Sequence, residues 1–171
     1  QAFNQERGET VMEREYTRID NVRQHMDAML KNHEDKEASR NGYVHLYGVG
    51  QACALIALFR GHDRPYAELA EIAGMLHDYS KYQDGIEENH AEKSSIEAEK
   101  ILSSIGCFSD GEIKTVCQAI RRHSNKKQTD EEFDEILKDA DEMQHWLRNP
   151  VEEYFFTKQR TQKIAAEFGL I

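Results

Sequence analysis

Apolar residues recur every three or four positions through most of the chain, and this spacing constrains the fold more than any other feature of the sequence. In the first such segment the spacings are 3, 3, 4 and 3, carried by Tyr16, Ile19, Val22, Met26 and Met29. This period places apolar side chains on one face of an α-helix, whereas a strand would show alternation. Proline and glycine, which interrupt helices, number only 2 and 10 among 171 residues. The sequence therefore predicts an all-α protein.

Successive segments with the same period predict a compact bundle of about seven helices and no strand. The N-terminal helix is expected over 8–33. The C-terminal helix is expected over 150–169, because Pro150 suits the first turn of a helix. No internal repeat, low-complexity tract or block of like charges divides the chain, so residues 1–171 are expected to form a single domain.

The acidic composition restricts the partners of the protein. Lys and Arg number 22 against 32 Asp and Glu, which gives a net charge of −10. Such a charge repels phosphate backbones, so we expect neither non-specific nucleic-acid binding nor docking on an anionic membrane. The sequence also lacks a continuous apolar run of membrane-spanning length and a signal-peptide pattern, which indicates a cytoplasmic protein. The oligomeric state stays open.

Six residues of metal-ligand type lie on or beside the inward apolar stripes of the predicted helices. They are His45, His77, Asp78, His90, His123 and Asp141. Burying six unpaired titratable groups in one core would cost on the order of several kcal/mol each, whereas one or two cations would satisfy them together. Imidazole and carboxylate ligands without thiolate suit Fe, Mn, Co, Ni or Zn and leave positions open to water or substrate. We therefore expect a catalytic centre with one or two divalent transition-metal ions per chain.

Three stretches of the sequence resemble the HD superfamily of metal-dependent phosphohydrolases, which is named for a His, a His-Asp doublet and a later Asp. They are YVHLYGVGQACALIA with His45, AEIAGMLHDYSKY with His77 and Asp78, and LKDADEMQHW with Asp141. The resemblance spans residues 43–147 and implies an all-α domain of the HD type. It also implies that these four His and Asp residues coordinate the metal.

Two pairs of candidates compete for positions in this pattern. Asp139 and Asp141 both fall within a turn of inward residues. Asp141 is preferred because the final Asp of the family follows Ala, which leaves Asp139 as a supporting or capping group. The second His-Asp pair, His62 and Asp63, lies in a connecting loop before a proline, so we expect it to be a decoy.

Two further histidines match positions that two-metal members of the family place after the doublet. They are His90, in NHAEKSS, and His123, in AIRRHS. In those members the Asp of the doublet bridges both ions, so Asp78 would be the shared ligand. The alternative is that both histidines contact the substrate phosphate without binding metal.

Cationic side chains near these positions are candidates for contact with the substrate. Lys81 matches the HDxxK arrangement of the family and is expected to clamp a phosphate oxygen, the alternative being a solvated lysine at a helix end. Arg122 offers a guanidinium for bidentate binding of phosphate, unless it and Arg121 form a surface pair. His145 follows Asp141 by one turn and is expected at the surface. Lys81 and Asp78 are the expected catalytic residues.

The resemblance implies hydrolysis of a phosphoester or phosphoanhydride of a small phosphorylated molecule, with a nucleotide as the expected substrate. Metal-activated water would attack phosphorus without a protein nucleophile. The stretch AGMLHDYSK is also similar to bacterial diadenosine tetraphosphate hydrolases, but ADEMQHWLRNP departs from their ADYIEPxR-like motif. One alternative is a mixed-valent di-iron oxygenase related to inositol oxygenase, which also uses four His and two Asp. The other is a non-catalytic nucleotide-binding sensor.

Overall fold

The computed structural model describes residues 16–85 and 87–171. In this part of the chain nine α-helices and no strand are found, which confirms the all-α class. In chain order they are α1 (Arg18–Lys31), α2 (Lys36–Phe59), α3 (Arg64–Leu76), α4 (Tyr79–Asp84), α5 (His90–Ile105), α6 (Asp110–Arg122), α7 (Glu132–Arg148), α8 (Glu153–Phe156) and α9 (Gln159–Glu167). The helices α4 and α8 are short, and the other seven correspond to the predicted ones.

Among the described residues the first helix, α1, begins at Arg18. Thr17 and Asp20 form a capping box, in which each side chain accepts a hydrogen bond from the backbone N–H of the other. This pair satisfies two N–H groups at the start of α1 and fixes its first turn at Arg18. The part of the prediction over 8–15 lies outside the described residues.

The helix expected over 150–169 is divided into α8 and α9. The hydroxyl of Thr157 donates to the carbonyl oxygen of Tyr154 at 2.7 Å. Such a side-chain bond competes with the helical backbone bonds, and Lys158 then takes an extended conformation before α9 begins. Pro150 lies in a turn before α8 rather than in the first turn of a long helix.

The central helix α2 packs along α3 and α7. Where α2 crosses α3, a Cβ atom on Gly74 would lie 2.6 Å from Cα of Gly50 and 2.8 Å from its backbone nitrogen. The two backbones therefore touch, and any side chain at Gly74 would force them apart. Since His45 precedes this crossing on α2 and the His77-Asp78 doublet follows it after α3, the crossing sets the distance between them.

Helix α2 is long and apolar enough to cross a membrane, judged by length and composition only. In the structure 44% of that apolar window is buried inside the protein, as in the core helix of a soluble protein. Val49, Cys53 and Ile56 on this helix are fully buried. The hydropathy of α2 is therefore explained by its central position in the helical core.

Candidate metal centre

The fold brings together all six residues of metal-ligand type predicted from the sequence. His45 lies on α2 and Asp141 on α7, and the other four lie at helix ends. Five of the six are buried, and His90 is partly exposed. We call this set the His–Asp cluster: His45, His77, Asp78, His90, His123 and Asp141.

Four side chains of the cluster surround a first common point. Oδ2 of Asp78 lies 3.7 Å from Nε2 of His45 and 3.5 Å from Nε2 of His77. Oδ1 of Asp141 lies 3.5 and 3.8 Å from the same two nitrogens. Ligand atoms about 2.0–2.2 Å from one ion lie about 2.8–3.6 Å from each other. Two of the four distances lie within this range, and the other two, 3.7 and 3.8 Å, exceed it by at most 0.2 Å. Only a small approach of these side chains would therefore be needed to hold one metal ion.

The other oxygen of Asp78 faces a second group. Its Oδ1 lies 3.3 Å from Nε2 of His90 and 3.2 Å from Nε2 of His123. All three atoms lie within 4.8 Å of one another, so they form a second candidate group of metal ligands. The carboxylate of Asp78 thus presents one oxygen to each group, which is the arrangement that a bridging ligand requires.

The outward nitrogen of every histidine in the cluster is already engaged. Nδ1 of His77, His90 and His123 donates to the backbone carbonyl three residues earlier, at 2.7, 2.8 and 2.6 Å. Nδ1 of His45 donates to the side-chain oxygen of Gln144 at 2.8 Å. Because a carbonyl oxygen only accepts, the proton must be on Nδ1. In the neutral rings Nε2 then carries a lone pair directed into the cluster.

Buried polar atoms without a hydrogen-bond partner converge on the centre. Among the described residues these include Nε2 of His77, Oδ1 of Asp78 and Oδ1 of Asp141. Burial lowers the pKa of His77 to about 3, so its ring is neutral at physiological pH. A lone pair facing carboxylate oxygens is repelled unless a cation lies between them. The donor set and its orphaned atoms therefore fit a divalent metal ion.

Both carboxylates of the cluster are ionised at neutral pH. Burial raises the pKa of Asp78, but positive charge on the imidazoles of His77 and His123, when they are protonated, outweighs burial and holds this pKa well below its usual value. Burial also raises the pKa of Asp141, and here the ammonium of Lys126 together with His77 lowers it well below its usual value. The cluster thus offers two anionic oxygen ligands without a change of protonation.

Two residues that the sequence did not assign to the site, Lys126 and His145, lie beside Asp141 in the structure. Nζ of Lys126 lies 2.5 Å from Oδ2 of Asp141, and Nε2 of His145 lies 3.4 Å from Oδ1. The side chain of His145 is 43% exposed, so it borders the cluster from the solvent side. Its spacing of one helical turn from Asp141 could have indicated that the two side chains are neighbours. Lys126 lies in a loop, where helical periodicity gives no signal.

The structure places the two predicted substrate cations differently. Nζ of Lys81 lies 3.9 Å from Oδ2 of Asp78 and 3.1 Å from Glu87, at the partly exposed edge of the cluster. Arg122 is not brought to the cluster, because its guanidinium donates to Asp134 at 2.7 Å. Consecutive helical residues point about 100° apart, so Arg122 cannot share the direction of its neighbour His123. Arg122, for which a phosphate contact was expected, is thus directed away from the cluster in the structure.

The two candidate aspartates on α7 differ in orientation. Asp139 is buried and accepts hydrogen bonds from Arg60 at 2.6 Å and from Arg160 at 2.5 Å. Two residues along a helix correspond to about 200°, so Asp139 and Asp141 point to opposite sides of α7. Only Asp141 lies in the His–Asp cluster, whereas Asp139 links α7 to Arg60 at the end of α2 and to Arg160 on α9.

The decoy doublet has the local role of a helix start. Oδ1 of Asp63 accepts from the backbone nitrogen of Tyr66 at 3.0 Å and caps α3. Nε2 of His62 lies 3.0 Å from a carboxylate oxygen of Glu132 on the surface. Neither residue belongs to the His–Asp cluster.

Comparison with known proteins adds one finding. A family model described as HD domain matches residues 42–146, which is more than half of the chain. The matched segment contains all six residues of the His–Asp cluster. No curated protein and no solved structure matched the chain.

Proposed function

Because the chain belongs to the HD domain family, we propose that it is a metal-dependent phosphohydrolase with its active site at the His–Asp cluster. The observation that supports this most is that buried, unpartnered atoms of His77, Asp78 and Asp141 all face the two ligand groups of the cluster. A purely structural core has no use for such atoms, since each unpaired polar group costs about 1–3 kcal/mol. A bound cation removes that cost.

The geometry favours two ions. The first would be held by His45, His77, Oδ2 of Asp78 and Oδ1 of Asp141, and the second by Oδ1 of Asp78 with two histidines. These two histidines are His90 and His123. Divalent transition ions such as Fe, Mn, Co, Ni or Zn supply Lewis acidity that activates water and stabilises charge on phosphate oxygens.

The residues of the chain have separate tasks in this proposal. Asp78 would be a ligand of both ions, since each of its oxygens faces one group of ligands. Lys81 exchanges its contact with the exposed Glu87 for a phosphate oxygen of the substrate, and so orients phosphorus and stabilises developing negative charge. His90 is partly exposed, so it stands between the buried centre and the substrate.

The proposed substrate is a small phosphorylated molecule, with a nucleotide as the first candidate. The chain carries a net charge of −10, so an anion must be attracted by local cations rather than by the protein as a whole. Metal ions together with Lys81 supply that local charge. The same net charge supports a protein that binds neither nucleic acid non-specifically nor anionic membranes.

The test combines metal analysis of anaerobically purified protein with a screen for phosphate release from phosphorylated metabolites. We expect bound transition metal and phosphate release that require Asp78 and do not require the decoy Asp63. Oxygen consumption by the iron-loaded protein without phosphate release would instead establish the oxygenase alternative. Nucleotide binding without turnover by the metal-loaded protein would establish the sensor alternative.

A further inference from the structure

The two oxygens of Asp141 have different surroundings. Oδ1 faces the imidazoles of His45 and His77 at 3.5 and 3.8 Å and has no hydrogen-bond partner. Oδ2 lies 2.5 Å from the ammonium of Lys126. A charge-assisted hydrogen bond of this kind is among the stronger ones in proteins. One oxygen is thus directed into the cluster while the other is held outside it.

Lys126 belongs to the loop that joins α6 to α7, residues 123–131, and this loop is anchored from two sides. Arg160 on α9 donates to the backbone carbonyl of Lys126 at 3.1 Å. The fully buried Lys138 on α7 donates to the carbonyl of Gln128 at 2.8 Å and to the carboxylate of Asp130 at 2.6 Å. The backbone that carries Lys126 is therefore fixed relative to α7 and so relative to Asp141.

We propose that Lys126 is a positioning residue that restricts Asp141 to coordination through a single oxygen. The inference rests on the proposed metal site and goes beyond the ligand set of that site. It also gives α9 a role in the metal centre, because Arg160 on α9 holds the loop that carries Lys126. Arg160 lies outside the matched segment 42–146.

The physical reason is the competition for Oδ2. While the ammonium of Lys126 occupies this oxygen, the carboxylate of Asp141 can offer only Oδ1 to an ion. Once the ammonium is removed, Oδ2 is a buried charged atom without its partner, which is costly. Turning towards the ion then satisfies it, so Asp141 binds through both oxygens and the coordination number of that ion rises.

The experiment uses Co²⁺, whose visible absorption weakens as its coordination number increases. The metal-free protein is titrated with Co²⁺ as the wild type, Lys126→Met and Lys126→Arg, with Lys127→Met as the matched control from the exposed neighbouring position. We expect Lys126→Met to lose visible absorption per bound ion. Lys126→Arg still donates to Oδ2 and should match the wild type, as should Lys127→Met.

Each other outcome also decides the question. An unchanged spectrum in loaded Lys126→Met, or equal changes in Lys126→Met and Lys127→Met, would overturn the role of Lys126. Loss of cobalt binding by a folded Lys126→Met chain would also overturn it, since Asp141 is expected to bind the ion through both oxygens once the ammonium is removed. If Lys126→Met does not fold, Lys126→Gln, which is too short to reach Oδ2, takes its place with the same expectation. Absence of cobalt binding by the wild type would instead refute the proposed metal site itself.

Discussion

Replacement of Asp78 by Asn is the most informative perturbation of the proposed centre, because this residue contacts both ligand groups. Its Oδ2 faces His45 and His77, and its Oδ1 faces His90 and His123, at 3.2–3.7 Å. Without the carboxylate, the first group retains three ligands and the second retains only the two imidazoles. We therefore expect the variant to bind at most one ion where the wild type binds two, and to lose phosphohydrolase activity.

The size of the effect follows from linkage between binding and folding. An ion present at about 100 times its Kd stabilises the folded state by about 2.7 kcal/mol. For a chain of this length, about 1 kcal/mol corresponds to a shift of about 2–4 °C in Tm. Two ions should then raise the Tm of the wild type by about 10–20 °C over the chelated protein. The shift in Asp78→Asn should be at most half as large.

Thermal unfolding with and without metal, combined with elemental analysis, measures both quantities. Asp63→Asn is the matched control, since it makes the same change in the other His-Asp doublet. Asparagine caps a helix about as well as aspartate, so α3 should keep its start and the control should behave as the wild type. Retention of two ions by Asp78→Asn, or loss of metal from Asp63→Asn, would refute the bridging assignment.

Three further changes test other parts of the structure. Lys81→Met should leave the metal content intact and lower kcat by about ten- to a thousandfold, as expected for loss of one preorganised hydrogen-bond donor. An unchanged kcat would show that Lys81 is a solvated surface lysine without a role in catalysis. His90→Ala combined with His123→Ala should reduce the metal stoichiometry by one ion, measured by elemental analysis, and an unchanged stoichiometry would assign both histidines to substrate contact. Gly74→Ala should destabilise the fold by about 1–3 kcal/mol in denaturant unfolding, because its methyl group meets the backbone of α2. The control is Gly111→Ala in α6, where a Cβ meets only a serine hydroxyl at 4.0 Å. This change should stabilise the folded protein by about 0.4–1 kcal/mol. Equal effects of the two substitutions would contradict a close contact between α2 and α3 at Gly74.

The helical architecture was predictable because its signal is repeated many times. Each long helix buries one apolar face, and burial of that face selects residues every three or four positions. The interruptions were not predictable in this way. At the break between α8 and α9 the hydroxyl of Thr157 donates to a backbone carbonyl, and α4 is a short helix that starts directly after the doublet. Such features depend on individual contacts, which produce no periodic pattern in the sequence.

Site residues were predictable where a residue of metal-ligand type lies at an inward position of a helix. They were not predictable where the direction of the side chain determines whether it reaches the cluster. Arg122 and His123 are adjacent in sequence, but only the histidine points to the cluster. Asp139 and Asp141 look equivalent in the pattern, but the arginines around Asp139 occupy the opposite side of α7. Lys126 lies in a loop, and its contact with Asp141 depends on how that loop is anchored.

The histidines of the cluster show why helix ends suit such a site. His77 follows α3, His123 follows α6, and His90 is the first residue of α5. Carbonyl groups in the last turn of a helix lack partners within the helix. Nδ1 of His77 and His123 donates to such a carbonyl three residues earlier. One hydrogen bond thus serves the helix end and also fixes the ring so that the lone pair of Nε2 faces the cluster. A histidine in the middle of a helix finds no such carbonyl, and accordingly His45 on α2 takes the side chain of Gln144 as its acceptor.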